Sequence, residues 1–418
     1  MKILLTGHMS FNLMVQFYGL LRKELPQAHI ALYGLNRPGG SLTLEDYQQF
    51  DEVIMPPVVD PEMIKKGILG LKWLRLLTKA DVWFCLKQLL RFRLKSIYTR
   101  LYTLLEREDK EAQLFGKFAP FDIVNIHYLS PGYLKQVKYV QPHQKLALSF
   151  WGSDLFQETG KATYGIQLDA LNQAHAISLH TPEMEQIFLS KFGRHLKEKI
   201  YRTIFGCHQE RFNLLTNLEQ QTEKLKAFRL KHKIPTNKLV IQIGYSGGAG
   251  HQHLAIIDSL MQFSKMLKDK VFLLVPTTYN NQDAEYFEKL KTKLENSIFE
   301  VAHLTEYLSD EEVLMLPIVS NIHINVRDAD ALNNAMIEAL YSGNLLITGA
   351  WLPYGVFKRR KIVFAEVEYI TEIGAAIMAY CEHSNEVYQL TENPRLTKEA
   401  FSMQNHIVNW GNMYKELY

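Results

Sequence analysis

The chain is poor in cysteine. Its 418 residues hold three, Cys85, Cys207 and Cys381, far apart and with no CxxC pair. This spacing argues against a disulfide framework or a zinc ribbon and fits a reducing compartment. No stretch of about 18 apolar residues runs free of charge, so no spanning helix is expected. The opening Met1-Lys2-Ile3-Leu4-Leu5-Thr6-Gly7-His8 is too short an apolar run for a secretory leader. It reads as a buried strand ending in a glycine turn. Low-complexity tracts and internal repeats do not stand out. With 47% hydrophobic and 22% charged residues, the composition is that of a globular protein, expected in the cytoplasm. One ordinary core does not hold a chain of this length, so two or three domains are expected.

What the chain does have is alternation. Short apolar runs at 2–5, 29–33, 123–127, 146–150 and 176–179 read as strands of a first series. Runs at 239–243, 271–275, 322–326, 344–347 and 361–364 read as a second. Each is bounded by Gly, Pro, Asn or polar residues and followed by helical periodicity. Near-continuous apolar strands alternating with helices predict an α/β fold of parallel sheets covered on both faces, here two Rossmann-like domains. The reading divides the chain into 1–210, 211–400 and an amphipathic terminal helix at 401–418 with Phe401, Ile407, Trp410 and Tyr414 on its apolar side. The linker falls near 206–215, ahead of a polar stretch at 216–237.

The most informative window is 322–347. A strand ends at Val326, and a polar turn carries Arg327, Asp328 and Asp330. A helix then runs from about Asn333 to Tyr341, with Gly343 as its stop. The free amides and dipole of that helix start favour a phosphate, and ligands of open α/β sheets sit at the carboxyl ends of strands. Glu338, eight residues beyond Asp330, borders the same pocket and suits sugar or ribose hydroxyls. Diphosphate on amides and hydroxyls on carboxylates describe a nucleotide-sugar site. The plain alternative is a capped surface helix with a solvated Glu338.

With these landmarks in order, the sequence resembles the retaining GT-B glycosyltransferases of the family-4 type. Asp330, seven residues and Glu338-Ala339-Leu340-Tyr341-Ser342-Gly343 match the family's Glu, seven residues, Glu motif. Gly244-Tyr245-Ser246-Gly247-Gly248 follows the first strand of the second series. Leu304 to Glu312 resembles the loop and helix that enter the motif strand. Phe205-Gly206 with Phe212 resembles the interdomain turn. His127, and Trp151-Gly152-Ser153-Asp154, resemble acceptor-side loops. The resemblance implies two domains facing a central cleft, with the terminal helix crossing back to the first. It implies His127, Asp330 and Glu338 at the catalytic centre, Glu338 on the ribose and Asp330 on the donor sugar. Amides at Leu332, Asn333 and Asn334 would meet the diphosphate beside Gly244, Ser246, Gly247 and Gly248. Gly7, His8 and Asp154 would lie on the acceptor side.

There are departures. Where the family carries an Arg and a Lys for the leaving diphosphate, this chain has Tyr245-Ser246 and then His251-Gln252-His253. Arg327 and His251 are the candidate replacements, with the 247–250 amides as a neutral cradle. Asp328-Ala329-Asp330 is formally a metal-binding DxD, but its place late in the second domain, before a helix, argues against that, and the two histidines lack a third ligand, so a metal-independent site without cofactor is expected. His127 is equally readable as a core histidine, and Trp151 and Trp351 as packing residues.

The net charge of +3 conceals an asymmetry. Residues 65–100 hold ten Lys/Arg and one acidic residue, Asp81, a local net of +9. Lys72, Arg75 and Lys79 share a helical face, as do Lys87, Arg91 and Lys95, interleaved with Trp73, Trp83, Phe84 and Phe92. A basic aromatic segment over 65–107 suits an anionic membrane surface; core-facing helices with solvated basic faces are the alternative, and no RNA-recognition motif accompanies the charge. The expectation is a hexosyltransferase-type retaining enzyme moving a sugar from a nucleotide-sugar to a glycan or lipid-linked acceptor. Bacterial surface polysaccharide or glycolipid synthesis on the inner face of the plasma membrane is the expected setting. A non-catalytic nucleotide or glycan binder, or an epimerase or phosphorylase on the same fold, are the alternatives.

Overall fold

The computed structural model describes residues 1–36, 42–55, 120–387 and 389–418. The basic segment with its six singled-out cations lies outside them. Two wholly parallel sheets organise the chain. The first holds β1 (Lys2–Gly7), β2 (His29–Tyr33), β3 (Glu52–Ile54), β4 (Ile123–His127), β5 (Lys145–Ser149), β6 (Ala176–Leu179) and β7 (Ile200–Arg202), in the order 3-2-1-4-5-6-7. The second holds β8 (Leu239–Ile243), β9 (Val271–Pro276), β10 (Glu300–Leu304), β11 (Ile322–Asn325), β12 (Leu345–Gly349) and β13 (Ala365–Val367), in the order 10-9-8-11-12-13. The central strands are buried along nearly their whole length, which is why they read as unbroken apolar runs.

Two expectations are corrected. The run at 361–364 is not a strand. Lys361 and Ile362 close the short helix Gly355–Arg359, Lys361 in the left-handed region, and Val363 gives both backbone groups to the side chain of Asn393. The last strand therefore starts at Ala365. The polar stretch at 216–237 is largely helical, in Gln209–Glu219 and Thr222–Lys231. A sparse stripe of Leu215, Leu218 and Phe228 is enough to seat these helices against Leu314 and Leu316.

The chain passes between the sheets twice, at 203–208 and near Ser402, and the two passages are joined. Cys207 N donates to Phe401 O and Met403 N to Cys207 O, each at 2.8 Å. Gly206 sits at φ +48, and a Cβ there would strike the Phe401 carbonyl. Beyond Ser402 the helix Met403–Leu417 lies on the helix Phe11–Glu24 and delivers Trp410, Met413 and Tyr414 to the first core. Tyr414 Oη accepts from Asn125 Nδ2 at 2.7 Å on the central strand β4.

Trp410 is fully buried against Phe17, His127 and Phe205. Trp410→Ala is expected to lower unfolding stability by about 3–5 kcal/mol. Urea denaturation checks this; a loss below about 1 kcal/mol would show that the helix is not anchored there.

Candidate functional site

In each sheet one pair of neighbouring strands marks where the strand order reverses: β1 and β4 in the first, β8 and β11 in the second. Connections leave those strands in opposite directions, which opens a crevice at their carboxyl ends. These strand ends and the loops that leave them carry Gly7, His8 and His127 in the first sheet and residues 244–248 and 327–330 in the second.

In the second sheet, a cavity of about 220 Å³ opens between the ends of β8 and β9, the helix Asp310–Val319 and the start of the helix Asn334–Tyr341. Its walls include Pro276, Leu308, Val313 and Leu316, with Gln242, Tyr245, Tyr279, Asn333 and Asn334 as polar members. Glu338 reaches in from the second turn of the helix and is 4% exposed. It is not a solvated carboxylate: Arg211 Nε donates to its Oε1 at 2.6 Å. Among the described residues lining the cavity these two are the only charged ones. The helix start is shaped by Asn333, whose side chain caps Met336 N at 2.9 Å and leaves the amides of Asn334 and Ala335 toward the cavity mouth.

Asp330 takes a different place from the one expected. Its carboxylate is buried and accepts from Ala331 N, Asn325 Nδ2, Asn333 Nδ2 and the Tyr354 hydroxyl. Burial raises its pKa, against Arg327 and these donors, which favour the ionised form. It ties the turn to β11 and to the helix start rather than presenting itself to a sugar. Arg327 lies beside it, with Nη1 3.5 Å from Asp330 Oδ1 and 2.8 Å from the Tyr245 hydroxyl. Its Nε is buried without a partner among the described residues. It is thus a cation set behind Tyr245, whose side chain lines the cavity, with one buried N–H unspent. The other carboxylate of the formal DxD, Asp328, accepts from Ala329 N and lies against Gly250. Among the described residues no group of three His, Cys, Asp or Glu is arranged to hold a metal.

The glycine-rich loop is packed from both sides. A Cβ on Gly247 would come within 2.9 Å of Asn281 and one on Gly250 within 2.9 Å of Asp328. Gly247 N is already committed to Tyr279 O, and Gly244 N to Ile324 O. His251 does not supply the charge expected of it. It is buried, its Nε2 pairs with Ser246 Oγ at 3.0 Å, and burial drives its pKa far below the usual range, with His253, Arg327 and His323 adding to the shift. It is a neutral brace, as is buried His253. That leaves Arg327 of the two proposed replacements.

On the first sheet Gly7 faces β4 so closely that a Cβ would overlap the His127 carbonyl, and its φ of +101 requires glycine. His8 donates its amide to the same carbonyl and leans on Tyr128 and Trp151. His127 is sealed, with no exposed surface, beneath Trp410, Phe205, Phe17 and Trp151, and burial pushes its pKa down to about 3. It does not face an open reaction centre. Asp154 is likewise turned inward. It accepts from the amides of Trp151, Gly152 and Leu129 and locks the two loops together, and burial raises its pKa to about 6 against those bonds. Trp351 is pinned by Nε1 to Arg327 O at 2.7 Å yet remains 41% exposed. The donor-side turn touches the first domain: Ala331 joins its core, and a Cβ on Gly152 would lie 2.6 Å from Ala331.

Four contributors escaped the sequence reading. Arg211 fell in the stretch read as a linker. Tyr245 was noted only as a departure, and Tyr279 follows a strand with no motif. Tyr354 follows Trp351, which the sequence offers only as a packing residue. The signal for Arg211 was its place beside Phe212, a landmark that was recognised.

No protein-family model matches the sequence, and no curated protein matches it. Solved structures do. A glycosyltransferase from Rickettsia africae superposes with a TM-score of 0.65 at 14% identity, covering 100% of this chain and 98% of that one. HepE of Anabaena, solved in complex with UDP and glucose, gives 0.65 at 12%, covering 100% of both. Sucrose-phosphate synthase of Thermosynechococcus elongatus gives 0.66 at 12%, covering 100% and 98%. The described residues have the GT-B fold.

The buried histidines make stability pH-dependent. His127, His251, His253 and His323 are neutral in the fold, with pKa values depressed by burial below the unfolded value of 6.5. Their stabilising contribution is complete above that value and is lost as pH falls toward the folded ones. Asp154 and Asp330, with raised values, act in the opposite sense but are fewer. Unfolding free energies from urea titrations should therefore be lower at pH 5 than at pH 7 by several kcal/mol, one pH unit of differential protonation being about 1.4 kcal/mol. Equal free energies would mean that the imidazoles reach solvent.

Proposed function

We propose that this chain is a retaining glycosyltransferase that moves a sugar from a nucleotide-sugar to a glycan or lipid-linked acceptor. The observation that carries the reading is the meeting, in one cavity, of a buried carboxylate, a helix start and apolar walls. Glu338 suits ribose hydroxyls, and the amides of Asn334 and Ala335 suit a phosphate. Leu308, Val313 and Leu316 form an apolar pocket for a base. Arg327, bonded to the cavity-lining Tyr245, is the cation proposed to meet the charge that builds on the departing diphosphate. HepE, which shares the fold, was solved with UDP and glucose and supports a donor of this class.

In the proposed reaction the bond from anomeric carbon to diphosphate oxygen breaks and a bond to the acceptor oxygen forms on the same face. The acceptor proton passes to an oxygen of the departing phosphate, so no carboxylate base is required. This suits a site in which Asp330 is already committed and His127 is sealed. Catalysis then rests on positioning and on holding the developing charge.

A second reading is a nucleotide binder without turnover. The absence of an Arg/Lys pair after β8, where Tyr245 and Ser246 stand, favours it. Donor hydrolysis by the purified protein separates the two, since a pure binder shows none above background.

Two outcomes check the proposal. Calorimetry with UDP-, GDP- and dTDP-sugars should find a donor, and Glu338→Gln should weaken its binding by about 1.5–3 kcal/mol; unchanged binding would remove Glu338 from the site. The basic segment is proposed to hold the enzyme at a bilayer where a lipid-linked acceptor waits. Replacing Lys87, Arg91 and Lys95 by Glu should release the protein from anionic liposomes, and equal binding of wild type and variant would remove the membrane claim.

A further inference from the structure

We infer that Arg211 is a positioning residue that makes the donor site selective for ribonucleotides over 2′-deoxyribonucleotides. The inference rests on the nucleotide-sugar reading of the cavity and narrows the donor class within it. Arg211 stands in the first turn of the helix Gln209–Glu219, just past the passage between the domains. It is not a surface residue caught in passing: its side chain is 24% exposed, and its partner's is 5%. Burial alone would lower the pKa of Arg211, but the charge of the Glu338 carboxylate and its hydrogen bond raise it.

The pair divides the carboxylate. Oε1 is taken by Arg211 Nε at 2.6 Å. Oε2 has no donor among the described residues and is not sealed from the cavity. Separating a largely buried ion pair leaves an uncompensated charge on each side, which is strongly unfavourable. A ligand entering the cavity therefore meets the pair intact and finds one charged oxygen in a fixed direction. The remaining walls near it are apolar or neutral, so a hydroxyl pair on the ligand is what that oxygen can use. A vicinal ribose diol supplies it. A 2′-deoxyribose supplies one hydroxyl fewer and leaves the charged oxygen partly unserved.

Without Arg211 the carboxylate would swing freely into a wetter pocket. It would still attract hydroxyls, but not in one geometry, and discrimination between the two sugars should vanish even where nucleotide binding survives. Lysine would not replace it, since an ammonium on a flexible stem does not fix the carboxylate as a planar guanidinium does.

The test is calorimetry of UDP, GDP and ADP and of their 2′-deoxy counterparts with the wild-type protein, Arg211→Ala and Arg211→Lys. The wild type should favour the ribonucleotide by about ten-fold or more, the worth of a hydrogen bond to a charged group. In Arg211→Ala the ratio should fall to near one, and in Arg211→Lys to an intermediate value. Should Arg211→Ala fail to fold, as shown by its thermal transition, the lysine variant alone decides. A wild-type ratio near one overturns the ribose assignment. A wild-type ratio that persists in the variants overturns the role of Arg211. No binding of any of these nucleotides to the wild type overturns the reading of the cavity itself.

Discussion

A carboxylate held inside a protein by one guanidinium is the interaction on which the proposed chemistry of this molecule depends. Glu338 would be costly to bury alone, and Arg211 makes its burial possible. The pair in turn requires that the helix Gln209–Glu219 lie against the helix Asn334–Tyr341. That packing needs Leu215 and Leu218 to be covered by the helix Asp310–Val319. The cavity is the space these three helices leave at the ends of β8 and β9. Its walls are apolar because they are the upper edge of a core, and its floor is charged because one ion pair is set into that edge.

A second carboxylate does the complementary work. Asp330 gathers Asn325, Asn333, Ala331 and Tyr354 around two oxygens and so fixes the turn from β11 into the helix. Two acidic residues that look alike in sequence thus divide their tasks by environment. One has every oxygen committed and holds the loop. The other keeps one oxygen open to a ligand. The same turn presents Ala331 to the first domain, while Arg359 and Glu183 pair across the domains at 2.8 Å. The donor-side loop and the acceptor-side loops are therefore braced against each other.

Much of this was legible. The parallel strands declared themselves because burial on both faces removes the need for polar residues, as in β4, β9 and β12. The strand–turn–helix around Asp330 and Glu338 was legible because it carries Asn, Asp and a glycine stop at fixed offsets. The failures share a cause: a side chain's partner is not written beside it. His127 and Asp154 look like cleft residues until Trp410, far along the chain from both, closes over one and backbone amides surround the other. His251 looks cationic until its burial makes it neutral. The short run at 361–364 has strand composition, yet Asn393 claims its backbone. Arg211 is hidden at 206–215 because the start of an amphipathic helix with few apolar residues resembles a linker.

The most direct measurement is a crystal structure of the protein soaked with a nucleoside diphosphate. The account predicts density in the cavity beside Tyr245 and Leu308, with the ribose against Glu338 Oε2, Arg211 still paired to Oε1, and the phosphates between Arg327 and the start of the helix Asn334–Tyr341. Density elsewhere, or a cavity that stays empty at saturating nucleotide, would contradict it.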